Sequence, residues 1–445
     1  MEWFLSLHPF WQAVIRVLLI LVPLLLYIPM AIWYERRLLS WMQDRIGPNR
    51  VGNITIPLRA KWAPKFLRGR ILHMRGLLQP IADAGKLFFK EEVAPASVDR
   101  LIYLIAPGIA LFPPFALLAT IPWGPIRPLT PIADVNIGIL YILAIASLGV
   151  YGVVLSGYAS NNKYSLLGGL RSSAQLISYE LGMGVSLAVI AMSVGSLKMT
   201  DMVRDQEGPL WGIFGPFANW HILTPYGFIA GIVFAVCMLA ETNRPPFDLP
   251  EAENELVAGY HTEYSSFKFA AFFMGEYAAM GVYSAIWMVV FAGGWHLLPF
   301  NYDWLYAHTS FLSYLWDRLA GFEYWFAPAI FLFKVILGFT FFIWVRATLP
   351  RLRYDQLMSL GWKSLLPISV SNLIVVALWI VVTRVYGPLW GWVAVIPASV
   401  LAWWFFKSIE DVRSGDTPKP TLNTRTIQMV DPKLPETPVV NEVTV

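Results

Sequence analysis

F-W-Q-A-V-I-R-V-L-L-I-L-V-P-L-L-L-Y-I-P-M-A-I-W, residues 10–33, decides the fold. Coiled as an α-helix at 1.5 Å per residue, this run is about 36 Å long. That is enough to cross a hydrocarbon core roughly 30 Å thick. Eight more apolar runs follow, near 99–121, 136–159, 175–197, 223–242, 267–293, 325–347, 367–385 and 388–407. None alternates apolar with polar residues as a barrel strand would, so the runs are read as helices. The last two are separated by little more than Gly387-Pro388, which suits a tight reversal between antiparallel helices. The expectation is an all-α polytopic membrane protein: eight core transmembrane helices plus a ninth, with an amphipathic interfacial helix after the first span. No internal repeat is visible, which weighs against many secondary-transporter architectures.

Composition agrees and excludes alternatives. The 445 residues are 57% hydrophobic and 14% charged, with mean hydropathy +0.55. Soluble domains carry about 45–50% apolar and about 25% charged residues, so an ordinary soluble enzyme is excluded. A net charge of +4 is too small to hold a polyanion, so no nucleic-acid partner is expected. Cys237 is the sole cysteine, which removes a disulfide framework, iron–sulfur ligation and a cysteine zinc site. His8, His73, His221, His261, His296 and His308 do not pair at ligand spacing, and no metal or haem is expected. No glycine-rich nucleotide loop is present. The first run lacks a signal-peptide pattern and reads as a retained helix.

Loop charge sets the orientation. Arg36, Arg37, Arg45, Arg50, Arg59, Lys61, Lys65, Arg68, Arg70, Arg75, Lys86 and Lys90 follow the first run, and Lys163, Arg171, Arg244, Arg351, Arg353 and Lys363 lie in alternate loops from there. The opposite loops hold only Arg127, Lys198, Arg204 and Arg318. The positive-inside rule makes the first set cytoplasmic and the N-terminus external, and nine spans then bring the C-terminus to the cytoplasm. Residues 1–413 form one transmembrane domain in this reading. Residues 414–445, rich in Pro and Thr, read as an extended or disordered tail.

Three cytoplasmic segments are more polar than connections require. In 76–91, G-L-L-Q-P-I-A-D-A-G-K-L-F-F-K-E, apolar residues recur at helical spacing, as in a helix lying on a membrane surface. In 240–264, A-E-T-N-R-P-P-F-D-L-P-E-A-E-N-E-L-V-A-G-Y-H-T-E-Y, six acids face Arg244 alone. Carboxylates crowded in this way can exchange protons near neutral pH. In 344–357, Arg346, Arg351 and Arg353 could meet lipid phosphates, the acidic loop or a partner. Glu180, Glu276 and Lys334 also sit inside apolar runs, where a central charge costs at least about 2.5–3.5 kcal/mol. Such residues mark an ion path or a structural pair. Two functional classes remain open from the residues: a stand-alone proton or cation transporter, or the membrane part of a redox complex. Large ordered-looking loops without repeats favour the second.

The same segments closely resemble the H subunit of bacterial NADH–quinone oxidoreductase, respiratory complex I, the family that includes mitochondrial subunit 1. The resembling stretches are E-R-R-L-L-S-W-M-Q-D-R-I-G-P-N-R-V-G (35–52), the 76–91 segment, Y-S-L-L-G-G-L-R-S-S-A-Q-L-I-S-Y-E-L (164–181), A-E-T-N-R-P-P-F-D-L-P-E-A-E-N-E-L-V-A-G and R-L-R-Y-D-Q-L-M. They keep the family order over about residues 10–385. The resemblance implies a membrane subunit of a proton-translocating enzyme of the bacterial cytoplasmic (inner) membrane. Its partners would be soluble quinone-site and iron–sulfur subunits, small membrane subunits, antiporter-like subunits and lipid. Quinone, ubiquinone or menaquinone, would be the substrate, with flavin and iron–sulfur chemistry carried by other subunits. By position, Arg36, Arg45, Asp83, Phe273 and Arg346 match the family's quinone passage. Glu35, Glu180, Glu241, Glu251, Glu253, Glu255, Glu276 and Lys334 match its acidic relay, with Asp248 and Tyr277 as further members. A related membrane-bound hydrogenase subunit shares the fold. The sequence departs from shorter relatives in a basic insert at about 53–75, in the ninth run and in the tail.

Overall fold

The computed structural model describes residues 8–57, 71–125, 129–248, 258–308, 313–397, 399 and 400. Among the described residues the structure is 74% helical. Helix α1 (Pro9–Met42) opens on the His8 side chain, which accepts a hydrogen bond from the Phe10 amide, with proline in the first turn. It outlasts the apolar run by nine residues because the polar residues of its last turns find partners within the protein. A short antiparallel hairpin follows, pairing β1 (Ile54–Pro57) with β2 (Ile71–Met74). It forms the described flanks of the expected insert. Helix α2 (Gln79–Phe89) is the anticipated amphipathic element: Pro80 is buried, while Ile81, Phe88 and Phe89 are exposed. Three polar contacts fix it to the bundle. Arg36 pairs with Asp83 at 2.6 Å, the Trp33 indole donates to the Arg75 carbonyl, and Ser266 Oγ donates to the Leu87 and Lys90 carbonyls that end the helix.

The bundle proper comprises α3 (Arg100–Leu117), α4 (Gly138–Ala159), α5 (Lys163–Val194), α7 (Pro225–Glu241), α8 (Ser266–Phe291), α10 (Ser313–Thr348) and α12 (Leu366–Tyr386). Short helices α6 (Met199–Asp205), α9 (Tyr302–His308) and α11 (Tyr354–Ser359) cap its ends. A π-helical turn, Leu360–Leu365, joins α11 to α12. Seven described helices are long and apolar enough to span, and α7, with 17 residues, is a shorter apolar helix packed among them. Helix α8 is the central post: 78% of its apolar window is buried, against 22% for α1, most of whose surface lies on the outside of the bundle. The ninth run begins as α13 (Pro388–Pro397), docked by the Trp392 indole on the Trp211 carbonyl and by its ring stacked on Tyr226. Residues 401–407 of that run and the expected tail at 414–445 lie outside the described residues.

Helix α5 starts twelve residues before the apolar run that announced it. Its first turns carry L-G-G-L-R-S-S-A-Q, and Ser165, Gly168, Gly169, Ser172 and Gln175 are buried there. Small side chains let backbones approach closely. A Cβ on Gly168 would lie 2.6 Å from the Gly259 Cα, and one on Gly157 would lie 2.8 Å from the Ser165 carbonyl. The start of α5 is thus a packing surface, and most of its buried polar groups find partners within the protein.

The contacts sort the loops onto two ends. At one end, Val93 meets Ser265, Asn162 meets Glu263, and Arg351 meets Asp248 at 3.6 Å, beside the α1–α2 joint. At the other, Asp205 meets His221, Glu207 and Glu323 meet His296, and Thr200 meets Asp134. This is the division that loop charge separated.

Candidate functional site

The last turns of α1, the end of α7, the middle of α8 and the end of α10 converge near the first of these ends. Each supplies ionisable side chains. Glu35, 4% exposed, is buried on α1. Its Oε1 takes an ion pair from Arg346 of α10 and lies 3.9 Å from Arg244 Nη1, while its Oε2 is buried without a hydrogen bond among the described residues. Arg244, just past α7, is itself buried. It reaches towards Glu276 of α8 at 4.0 Å and lies over the Tyr277 ring at 4.5 Å. One guanidinium thus bridges two carboxylates from two helices, an aromatic face beneath it replacing lost hydration.

Beyond Glu276 lies a cavity of about 80 Å³ whose wall includes Glu241, Asn243, Tyr260, Glu276 and Tyr283. Tyr283 OH donates to Glu241 Oε1 at 3.4 Å, and Glu241 Oε2 is buried with no partner among the described residues. A water needs about 10–15 Å³ and at least two polar neighbours, so this space suits a few waters linking Glu276 to Glu241. Glu180 of α5, half-buried, lies within Coulombic reach of Glu241. Carboxylates along this path outnumber the cations: Glu35, Glu276, Glu241 and Glu180 face buried Arg244 and partly exposed Arg346.

The expected residues divide into those that meet and those that do not. Glu35, Glu276, Glu241, Glu180 and Arg346 form the network. Tyr277 joins it through Arg244, while Asp248 pairs separately with Arg351. Residues 242–248 are largely buried, so this half of the acidic segment is not a solvated loop. Gln175 holds it in place, donating to the Ala240 and Phe247 carbonyls at 2.7 and 2.8 Å. Glu251, Glu253 and Glu255 lie outside the described residues. Arg36 and Asp83 meet at the α1–α2 joint, where both are substantially exposed. Arg45 is exposed beyond the end of α1. Phe273 stacks on His261, whose ring is enclosed by Tyr260 and Phe272. Burial pushes His261 down to about 3, so it is neutral there.

Lys334 does not join the carboxylates. It is buried at the far end of α8, where its ammonium donates to the Ala292 carbonyl at 2.5 Å and sits over the Trp220 ring. Among the described residues no carboxylate lies within 4 Å of it. Sixteen residues of helix separate Glu276 from Ala292, about 24 Å at 1.5 Å per residue. A cation at the negative end of the helix dipole is stabilised there, with the Glu323 carboxylate attracting it at longer range, and that is the local role the geometry gives Lys334. Tyr283 is a member that sequence reasoning missed. It lies seven residues after Glu276, on the same helical face, and that spacing was the available signal. Among the described residues no cluster of three or more His, Cys, Asp or Glu could hold a metal.

Fold and site together define a class: a polytopic helical membrane protein with an acid-rich path buried between its helices. Comparison with known proteins sharpens this. The family model described as NADH dehydrogenase matches residues 15–377. A Koribacter versatilis H subunit of NADH-quinone oxidoreductase, the copy numbered 2, is 41% identical over 385 residues, covering 83% of this chain and 96% of its own length. The corresponding H subunits of Rickettsia canadensis and Cupriavidus pinatubonensis are 44% and 43% identical, covering 82% and 84% of this chain and 92% and 93% of their own. The chain belongs to this NADH dehydrogenase family of membrane subunits.

Proposed function

We propose that the chain is the H subunit of a proton-translocating NADH–quinone oxidoreductase in a bacterial inner membrane, with its N-terminus external. In this reading it admits quinone from the bilayer and passes the charge change of quinone reduction to neighbouring pumping subunits. Electrons would arrive from NADH through flavin and iron–sulfur centres in soluble partners. The quinone takes two electrons and two protons to become quinol. The observation that carries the proposal is the adjacency of Glu35 and Arg36 on α1. Arg36 and Asp83 stand at the exposed joint with the amphipathic helix, whose apolar residues face the lipid region. One residue away, Glu35 starts the buried chain through Arg244 and Glu276 to the cavity at Glu241.

The chemistry follows from the charges. Two protons consumed at a quinone beside this end leave a transient negative imbalance. Carboxylates coupled through Arg244 can answer by redistributing protons, because a single guanidinium is shared between Glu35 and Glu276 at 3.9 and 4.0 Å. The names of the relatives support the assembly and the substrate, and the residue pattern supports ubiquinone or menaquinone alike. The test is the purified assembly in proteoliposomes, with Glu35→Gln, Glu241→Gln and Glu276→Gln measured for NADH-driven quinone reduction and proton uptake. At least tenfold loss of both in one or more is expected. Wild-type turnover and proton yield in all three would refute the relay.

A further inference from the structure

A second cavity lies on another face of α8, between α7 and α10. It measures about 350 Å³ and includes Gly231, Ile232, Ala235, Met238, Ser284, Met288, Leu337 and Gly338 in its wall. Among the described residues no charged side chain lines it. Ile232 and Leu337 are 47% and 50% exposed, so it opens on the lipid side of the bundle. Two glycines make the room: a Cβ on Gly338 would meet Ser284 Cβ at 2.9 Å, and one on Gly231 would meet the Ile222 side chain at 2.8 Å.

Ser284 is the anomaly. Helical serines ordinarily return their hydroxyl to a carbonyl three or four residues back, and Ser156, Ser186 and Ser193 do so here. Ser284 is fully buried and has no hydrogen-bond partner among the described residues, and it faces the cavity. The nearby Trp287 indole is already committed to the Gly231 carbonyl at 3.1 Å. Water is a poor occupant, since it needs two to four polar partners and the wall offers one hydroxyl. A buried donor left without a partner is destabilising, and an acceptor oxygen on an apolar molecule would remove that cost.

We propose that this cavity is a binding site for a neutral lipophile carrying an acceptor oxygen, such as a ketone, that partitions into the bilayer and accepts a hydrogen bond from Ser284. The volume falls in the range of about 300–1,000 Å³ usual for small-molecule sites. The site is separate from the carboxylate path and does not depend on the function proposed above.

Benzophenone is a suitable probe, being a neutral diaryl ketone that inserts into nearby C–H bonds on illumination. Membranes containing the intact assembly are illuminated with it and the adducts mapped by mass spectrometry. Saturable adducts on Met238 or Met288 are expected. Ser284→Ala should weaken them about fivefold, the order of one neutral hydrogen bond, and Ala235→Phe should abolish them by filling the space. Labelling of Met30, exposed on α1, should be unsaturable and equal in all variants. Adducts at Met238 and Met288 that are indifferent to Ser284→Ala would reveal a plain acyl-chain groove and overturn the proposal. Absence of adducts there, as when a neighbouring subunit covers the groove, would overturn it too.

Discussion

Replacing Arg346 by Met isolates the energetic centre of the carboxylate path. Glu35 keeps its burial but loses the cation on its Oε1. Removing one partner of a buried pair costs about 3–5 kcal/mol. Two features reduce this. The Arg346 side chain is 32% exposed, so water already screens the pair. Arg244 also remains 3.9 Å from the same oxygen, an attraction of about 4 kcal/mol at an effective dielectric near 20. The expected net loss is about 2–3 kcal/mol. Glu35→Gln alone should cost about 1 kcal/mol, because Arg346 can turn to solvent. The double variant Glu35→Gln/Arg346→Met should recover at least half of the single-variant loss, since no uncompensated charge is left. The assay is the heat-aggregation midpoint of this chain in the purified assembly, followed for wild type, both singles and the double. A double variant whose loss equals the sum of the two single-variant losses would show that Glu35 and Arg346 are not energetically coupled, and the reasoning would fail.

Three other substitutions probe the frame. Gln175→Leu orphans the carbonyls of Ala240 and Phe247 and should cost about 2–4 kcal/mol, read as the same midpoint and as faster proteolysis of the 242–264 segment. Gly168→Ala drives a methyl against the Gly259 backbone and should cost about 1–3 kcal/mol, whereas Gly85→Ala on α2, with open space around it, should be neutral or stabilising; equal losses in both would refute the packing argument. Burial alone would push His296 down, but its hydrogen bonds to Glu207 and Glu323 outweigh this and hold it above its ordinary 6.5. Its stabilising contribution is therefore complete below pH 6.5 and fades as pH rises through the raised value. The stability difference between wild type and His296→Gln should shrink from pH 6 to pH 9, and a constant difference would contradict it.

What could be read along the chain followed from local rules. An apolar run longer than a bilayer must be helical, because no other conformation satisfies its backbone in lipid. The alternation of basic loops orders the ends, and the amphipathic spacing at 76–91 marks an interfacial helix. Glu180, Glu276 and Lys334 stood out because charge in hydrocarbon is expensive. The boundaries were less legible. Helices α1, α5 and α10 run beyond their apolar runs by a turn or more, into residues such as Glu35, Ser172 and Glu323 whose polarity is met by partners distant in sequence.

By itself the sequence determined that this is a helical membrane protein, how its spans follow one another and which residues carry unusual charge, because hydrophobic length and loop charge act on neighbours along the chain. Only the tertiary structure decided which charges share a path: Glu35, Arg244 and Glu276, from three separate segments, come within 4.0 Å, while Lys334 is carried to the other end of α8 to hold the Ala292 carbonyl. The physical reason is that a buried charge is stabilised by whatever the packing of helices brings beside it, and that packing depends on glycines and small residues far apart in the chain, not on spacing within any one span.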